Sequence, residues 1–201
     1  MGNISLKKQQ KKDALFASAF ELFTGLGLDN TSISDITKKA GVAKGTFYLY
    51  FKDKLDIRNR LIARKAGALL EDAINAMDKA DLHGTEEKLL YIVDHMMDDL
   101  QKNPALVIFM SKNLSWGLYR NAILESTEET DMDFKSGFYD FFDKAEVRYK
   151  NPEVLVFMIA EFISGVCNNS ILYSDPMPME ELKPYLHDAI LSIMRSQQID
   201  D

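Results

Sequence analysis

Between Ser32 and Lys54 the sequence reads SISDITKKAGVAKGTFYLYFKDK, and most of its polar side chains are hydroxyls, phenols and ammonium groups. Lysines at 44, 52 and 54 can neutralise phosphate, and the hydroxyls of Ser32, Thr46, Tyr48 and Tyr50 can hydrogen-bond its oxygens. Gly45 lets the backbone come close to a ligand, and Lys44-Gly45-Thr46 opens a short helix whose first amides favour an anion. This is equipment for gripping a polyanion. Equipment for making and breaking bonds is missing. His83, His95 and His187 have no Glu three residues before them, which removes the di-iron bundle motif. There is no Cys–His metal spacing, phosphate loop or nucleophile elbow. The expectation is a chain that is not an enzyme, with no cofactor and no metal.

The surrounding pattern supplies the elements that would hold these groups. From Ser5 to about Gly25, Phe16, Ala19, Phe20 and Phe23 recur at helical spacing, and Leu15, Leu22 and Leu26 widen the stripe. Gly25 and Gly27 end this helix. Ser32 followed by Asp35 forms a capping box, with Asp in place of the usual Glu, and predicts a helix from Ile33. Ile33, Ile36 and Ala40 give it a buried side. Gly41 takes a tight turn at positive φ, and Val42 packs inward. A short helix follows over 44–50, with Phe47 and Phe51 toward the core, Tyr48 outward and Tyr50 shared between the two. A long helix then runs over 54–80. Two short helices joined by a tight glycine turn are the pattern of a DNA-binding helix-turn-helix.

The run AGVAKGTFYLYFKDK resembles the signature of the tetracycline-repressor (TetR) family of bacterial regulators, through Gly41, Val42, Gly45-Thr46, Tyr48, Tyr50, Phe51 and Lys54. The preceding helix, with Phe16, Ala19 and Phe23, is similar too, so the resemblance covers residues 10–60. One departure is Ala43, where the family often has a capping Ser; Ala cannot cap, at a cost of about 1 kcal/mol. Carried over by position, the resemblance implies base-edge contacts from Ser34, Lys44, Thr46 and Leu49. It implies phosphate contacts from Ser32, Gly45, Tyr48, Tyr50, Lys52 and Lys54.

Helical periodicity continues to the end of the chain, over about 85–102, 104–116, an interrupted 117–150, 152–174 and 179–197. Pro104 and Pro152 suit first helical positions, and Asp175-Pro176-Met177-Pro178 is a break. The fold class expected is all-α with about nine helices: a three-helix DNA-binding domain at 5–54 and a larger helical bundle at 55–201. In the TetR family the second domain binds an effector and dimerises, and the helix over 54–80 would be the lever between the two functions. Val154 to Ala160 is apolar all round, which calls for cover on every face. The expected interface of a homodimer is Val154, Met158, Leu186, Ile190 and Ile193, two copies matching a pseudo-palindromic operator. Between Met96 and Phe162 methionines and aromatics are frequent. Met96, Phe109, Met110, Trp116, Tyr119, Phe138, Phe142 and Phe162 are the candidate lining of a pocket for a small apolar or amphipathic effector.

Composition agrees with this division of labour. Residues 1–65 hold 13 Lys/Arg against 6 Asp/Glu, whereas 66–201 hold 11 against 25, so a basic end is joined to an acidic remainder within a net charge of −7. A polyanion is the natural partner of the basic end. The hydrophobic share of 46% and charged share of 27% are those of a soluble globular protein. The start of the chain has neither a signal region nor a complete myristoylation motif, since Leu6 stands where Ser or Thr is needed. No uninterrupted apolar run reaches membrane-spanning length, and the lone Cys167 suits a reducing compartment. The reading is a cytoplasmic, ligand-responsive regulator bound to double-stranded DNA and not to a membrane, and the resemblance implies that it is a repressor. The alternative is a DNA-attached architectural or interaction protein of the same fold without an effector.

Overall fold

The computed structural model describes residues 2–111 and 134–199. Nine α-helices and one two-residue strand pair make up the regular structure among the described residues. The all-α expectation holds. The chain divides into two compact units, Met1–Ala63 and Arg64–Asp201.

The first unit contains α1 (Gly2–Gly25), α2 (Ile33–Lys39), α3 (Lys44–Phe47) and the start of α4 (Lys54–Met77). Of the residues that the helical spacing selects, Leu15, Phe16, Ala19, Phe23, Ile36, Phe47 and Phe51 are buried, and Ile57 of α4 joins them. Phe16 and Phe51 meet edge-on with ring centres 5.0 Å apart, and Phe47 lies 5.5 Å from Phe51. Leu26 departs from the pattern and is 54% exposed, because α1 has already ended at Gly25. Positive φ falls at Gly27 (85°) and Gly41 (68°), so of the pair at the end of α1 only Gly27 makes the left-handed exit. A Cβ built on Gly41 meets nothing within 4 Å, so its requirement is purely conformational. Gly41→Ala is therefore expected to cost about 1–2 kcal/mol through left-handed strain alone, measurable as a shift of the denaturant midpoint. No measurable loss would show that this turn relaxes without cost.

The second unit holds the rest of α4, then α5 (Thr85–Gln101), α6 (Pro104–Ser111), α7 (Phe134–Asp143), β1 (Arg148–Tyr149), α8 (Pro152–Tyr173), α9 (Met179–Ser196) and β2 (Gln198–Ile199). Both prolines expected at helix starts are there. Asn103 and Asn151 cap those starts, their side-chain oxygens accepting from the amides of Leu106 (3.2 Å) and Val154 (3.1 Å). The region expected as an interrupted helix over 117–150 shows only α7 among the described residues. It then gives way to a loop whose end, β1, pairs antiparallel with β2 through Arg148↔Ile199 and Tyr149↔Gln198. Two residues are too few for alternation to show in a sequence. In the same loop Glu146 accepts hydrogen bonds from the amide and hydroxyl of Thr85 (3.0 and 2.9 Å), closing the start of α5 that Gly84 cannot cap. A hydrogen bond from its own backbone, followed by these two from Thr85, holds the Glu146 carboxyl below the usual range.

α8 packs on α5, α6 and α9, and α9 packs on α5. Leu155, Ile159, Cys167, Leu182, Leu186, Ile190 and Met194 form the core there with Val93 and Met97. The Cys167 thiol is pushed up to about 12 by burial, so it is an inert packing group at neutral pH. Outside that core α5 and α9 are cross-linked by Glu86–Arg195 (2.9 Å), Asp94–His187 (2.8 Å) and Asp98–Lys183 (2.7 Å). α8 is also long and apolar enough to cross a membrane by length and composition, which the broken apolar runs of the sequence did not suggest. Its Leu155, Ile159, Cys167 and Ser170 are buried against neighbouring helices, as in the core helix of a helical bundle.

Candidate nucleic-acid interface

The helix-turn-helix is held by local rules. Ser32 accepts from the amide of Asp35 (3.1 Å), and Asp35 accepts from the amide of Ser32 (3.0 Å), completing the capping box. The Ser32 hydroxyl donates to the same carboxylate at 2.6 Å, and this bond is the main reason the Asp35 carboxyl lies below its ordinary range. After α2 the amide of Val42 bonds back to Thr37 (3.0 Å) across the Gly41 turn, and Val42 is half-buried. Ala43 gives α3 no side-chain cap, as its methyl dictates, and α3 is correspondingly short. Four residues are α-helical instead of the seven expected over 44–50, and Tyr48 to Tyr50 continue as turns.

The result is a display of unlike groups along one short element. Ser34, Lys44, Gly45, Tyr48, Leu49 and Lys52 are exposed, and Thr46, Tyr50 and Lys54 are half-buried. Leu49 at 77% and Tyr48 at 54% exposure are large apolar groups that the fold itself leaves in water. Their neighbours Phe47 and Phe51 are buried, so the division between inward and outward aromatics follows the helical spacing.

Three of the expected phosphate-contacting side chains are engaged elsewhere. Ser32 has both its hydroxyl and its amide directed at Asp35, and a carboxylate at that position repels phosphate, so Ser32 acts as a cap. The Tyr50 phenol donates to the carbonyl of Lys8 at 3.2 Å. Lys54 donates to the carbonyl of Leu28 at 2.7 Å, tying the start of α4 to the loop before α2, and two of its three N–H groups remain for another acceptor. Sequence reading also missed Asp53. Its Oδ1 accepts from the amides of Leu55 (2.7 Å) and Asp56 (2.9 Å) at the start of α4, a signal the N-cap rule could have found.

The expected pocket and interface residues lie in the second unit. Phe109 and Met110 are buried, Met96, Phe142 and Phe162 are partly buried against the core, and Phe138 is half-buried 5.1 Å from Phe142. Trp116 and Tyr119 lie outside the described residues. An open cleft of about 340 Å³ is lined by Asn151, Glu153, Val154 and Phe157 at the start of α8, a different set from the eight expected. Of the expected interface, Leu186 and Ile190 are 1% and 0% exposed within the chain's own core, which takes them out of any contact with a second copy. Their one-sided spacing on α9 reflects packing on α5 and α8. Val154 is exposed, and Met158 and Ile193 are half-buried. Asp72, His95 and Asp99 bring ligand atoms within 4.8 Å of one another, a spacing open to a cation. Lys102 already neutralises Asp99 at 2.7 Å, and His95 bonds Asp72 at 2.8 Å, so we read the group as an ion-pair cluster.

A short α3 placed by a glycine turn against α2, with its basic and aromatic groups outward, defines a helix-turn-helix protein of the all-α class. Residues 15–61 match the family described as bacterial regulatory proteins, tetR family. Similar proteins include the uncharacterized HTH-type transcriptional regulator YvdT of Bacillus subtilis (strain 168), 42% identical over 89 residues, or 44% of this chain and 43% of that protein. The fatty acid metabolism regulator protein of the same organism is 40% identical over 65 residues, 32% of this chain and 34% of that one. The aligned segments thus span less than half the length of these two curated relatives. Among solved structures, FadR from Bacillus subtilis in complex with stearoyl-CoA shares the fold with a TM-score of 0.60 at 21% identity, over 89% of this chain and 97% of that one. Over residues 15–61 the chain thus matches the tetR family of bacterial regulatory proteins, and that segment holds the helix-turn-helix.

Proposed function

We propose that this chain is a cytoplasmic transcriptional repressor that binds a pseudo-palindromic operator as a homodimer and is released by a small apolar or amphipathic effector. The observation that carries the reading is the display on and after α3: Lys44, Gly45, Tyr48 and Leu49 stand outward from a buried Phe47–Phe51 pair. With Ser34 on α2 and half-buried Thr46, these groups suit base edges, and Tyr48, Lys52 and Lys54 suit phosphates. The first domain, over 5–54, is the DNA-reading part, and 55–201 is the effector-binding and dimerising part.

The homodimer reading is supported by α8, of which only 22% of the most apolar window is buried within the chain. Val154, Met158 and Ile193 remain the proposed contacts. An acyl-chain effector is supported by two relatives, one a fatty acid metabolism regulator and one a fold neighbour holding stearoyl-CoA. Effector binding that favours a DNA-incompetent dimer releases the operator by shifting populations. Titrating stearoyl-CoA, and separately coenzyme A alone, into a protein–operator complex tests this. Release by the thioester alone supports it, and a complex indifferent to both rejects an acyl thioester as effector.

Lys54→Ala is expected to lower stability by about 1 kcal/mol through loss of the bond to Leu28. It is also expected to flatten the salt dependence of operator binding by about one unit. Salt-titrated fluorescence anisotropy separates the effects: a stability loss with an unchanged slope would leave Lys54 a purely structural residue.

A further inference from the structure

The part of α1 over 6–11 is not held by packing. The buried residues of α1 are Leu15, Phe16, Ser18, Ala19 and Phe23, whereas Leu6 to Lys11 are all exposed. A helical extension with no buried face gains nothing from the core. Its composition is one-sided instead: Lys7, Lys8, Lys11 and Lys12 precede the first acid, Asp13. At 100° per residue these four positions fall on one face, where 7 with 11 and 8 with 12 are repelling i, i+4 pairs. Among the described residues no carboxylate pairs with Lys7, Lys8 or Lys11. Such a face is stabilised by an external polyanion.

One bond ties that face to the recognition segment. Tyr50, two residues beyond exposed Tyr48 and next to exposed Leu49, donates its phenol hydrogen to the backbone carbonyl of Lys8 at 3.2 Å. The basic turn of α1 is thereby fastened to the outward end of the recognition segment, within the same compact unit. This gives Tyr50 a role that neither core packing nor a phosphate contact of its own would give.

We propose that Lys7, Lys8 and Lys11 form a second DNA-contact element, holding backbone phosphates of the duplex that flank the bases addressed by α3, with Tyr50 as the residue that positions them. The inference rests on the reading of residues 32–54 as a DNA interface. Its contacts are electrostatic and carry no sequence preference of their own.

The test uses the full chain and the triple variant Lys7→Gln, Lys8→Gln, Lys11→Gln, all at exposed positions, with the fold checked by thermal unfolding. The probes are the duplex enriched by the wild-type chain from a random pool, and the same duplex trimmed at its flanks. The variant is expected to lose about two to three units of salt slope, and trimming is expected to weaken the wild type but not the variant. If the wild type binds and the variant keeps its slope and its sensitivity to trimming, the inference fails and the DNA reading stands. Equal loss on both duplexes with an unchanged slope would also overturn it, as would a variant defect seen only with anionic lipid vesicles. If the wild type enriches and binds no duplex, both readings fall together.

Discussion

Phe51→Ala is expected to remove about 3–5 kcal/mol of stability from the N-terminal unit, and operator binding with it. Phe51 is 1% exposed and is the residue on which the unit converges. Its ring meets Phe16 of α1 at 5.0 Å and Phe47 of α3 at 5.5 Å, and the guanidinium of Arg60 on α4 lies 5.9 Å from its centre. Truncation leaves a cavity bordered by three helices, none of which can close it without moving α3. Native domains are stable by only about 5–15 kcal/mol, so a small unit loses a large share of its margin. Denaturant unfolding measures the effect, and a loss below about 1 kcal/mol would mean that this aromatic cluster does not organise the unit.

The second large effect is on affinity. Tyr48→Ala is expected to weaken operator binding by roughly tenfold to a hundredfold, the worth of a hydrogen bond to a charged group, and more if a dimer uses the residue twice. Lys44→Ala should act similarly and also reduce discrimination, since lysine at the start of α3 can reach guanine edges. Ser32→Ala provides the contrast. Its hydroxyl is engaged by Asp35, so the expected result is lost helix stability with little change in the salt dependence of binding. Anisotropy measured at several salt concentrations distinguishes the two patterns. Equal slopes and affinities for wild type and Tyr48→Ala would remove Tyr48 from the interface.

What could be read in the sequence was what short-range rules decide. Gly41 at positive φ, the Ser32–Asp35 box, the uncapped start at Ala43 and the inward Phe47 and Phe51 all depend on spacings of four residues or fewer. The employment of Lys54 depends on Leu28, and that of Tyr50 on Lys8, twenty-six and forty-two positions away. Neither separation leaves a pattern in a single sequence, so both side chains were expected at the DNA. The same holds for Leu186 and Ile190. An apolar stripe on α9 says that one face is covered but not by which helix, and the cover is α5 and α8 of the same chain. The sequence placed Glu146 within an interrupted helix, while in the structure it is the group that closes the start of α5.

The measurement that tests the central claim most directly is selection of duplexes from a random DNA pool by the purified full chain at near-physiological salt, followed by sequencing. The account gives one enriched pseudo-palindrome, its half-sites about one helical turn apart, with binding lost in Tyr48→Ala. A folded protein that enriches no motif, or binds every duplex equally, would contradict it.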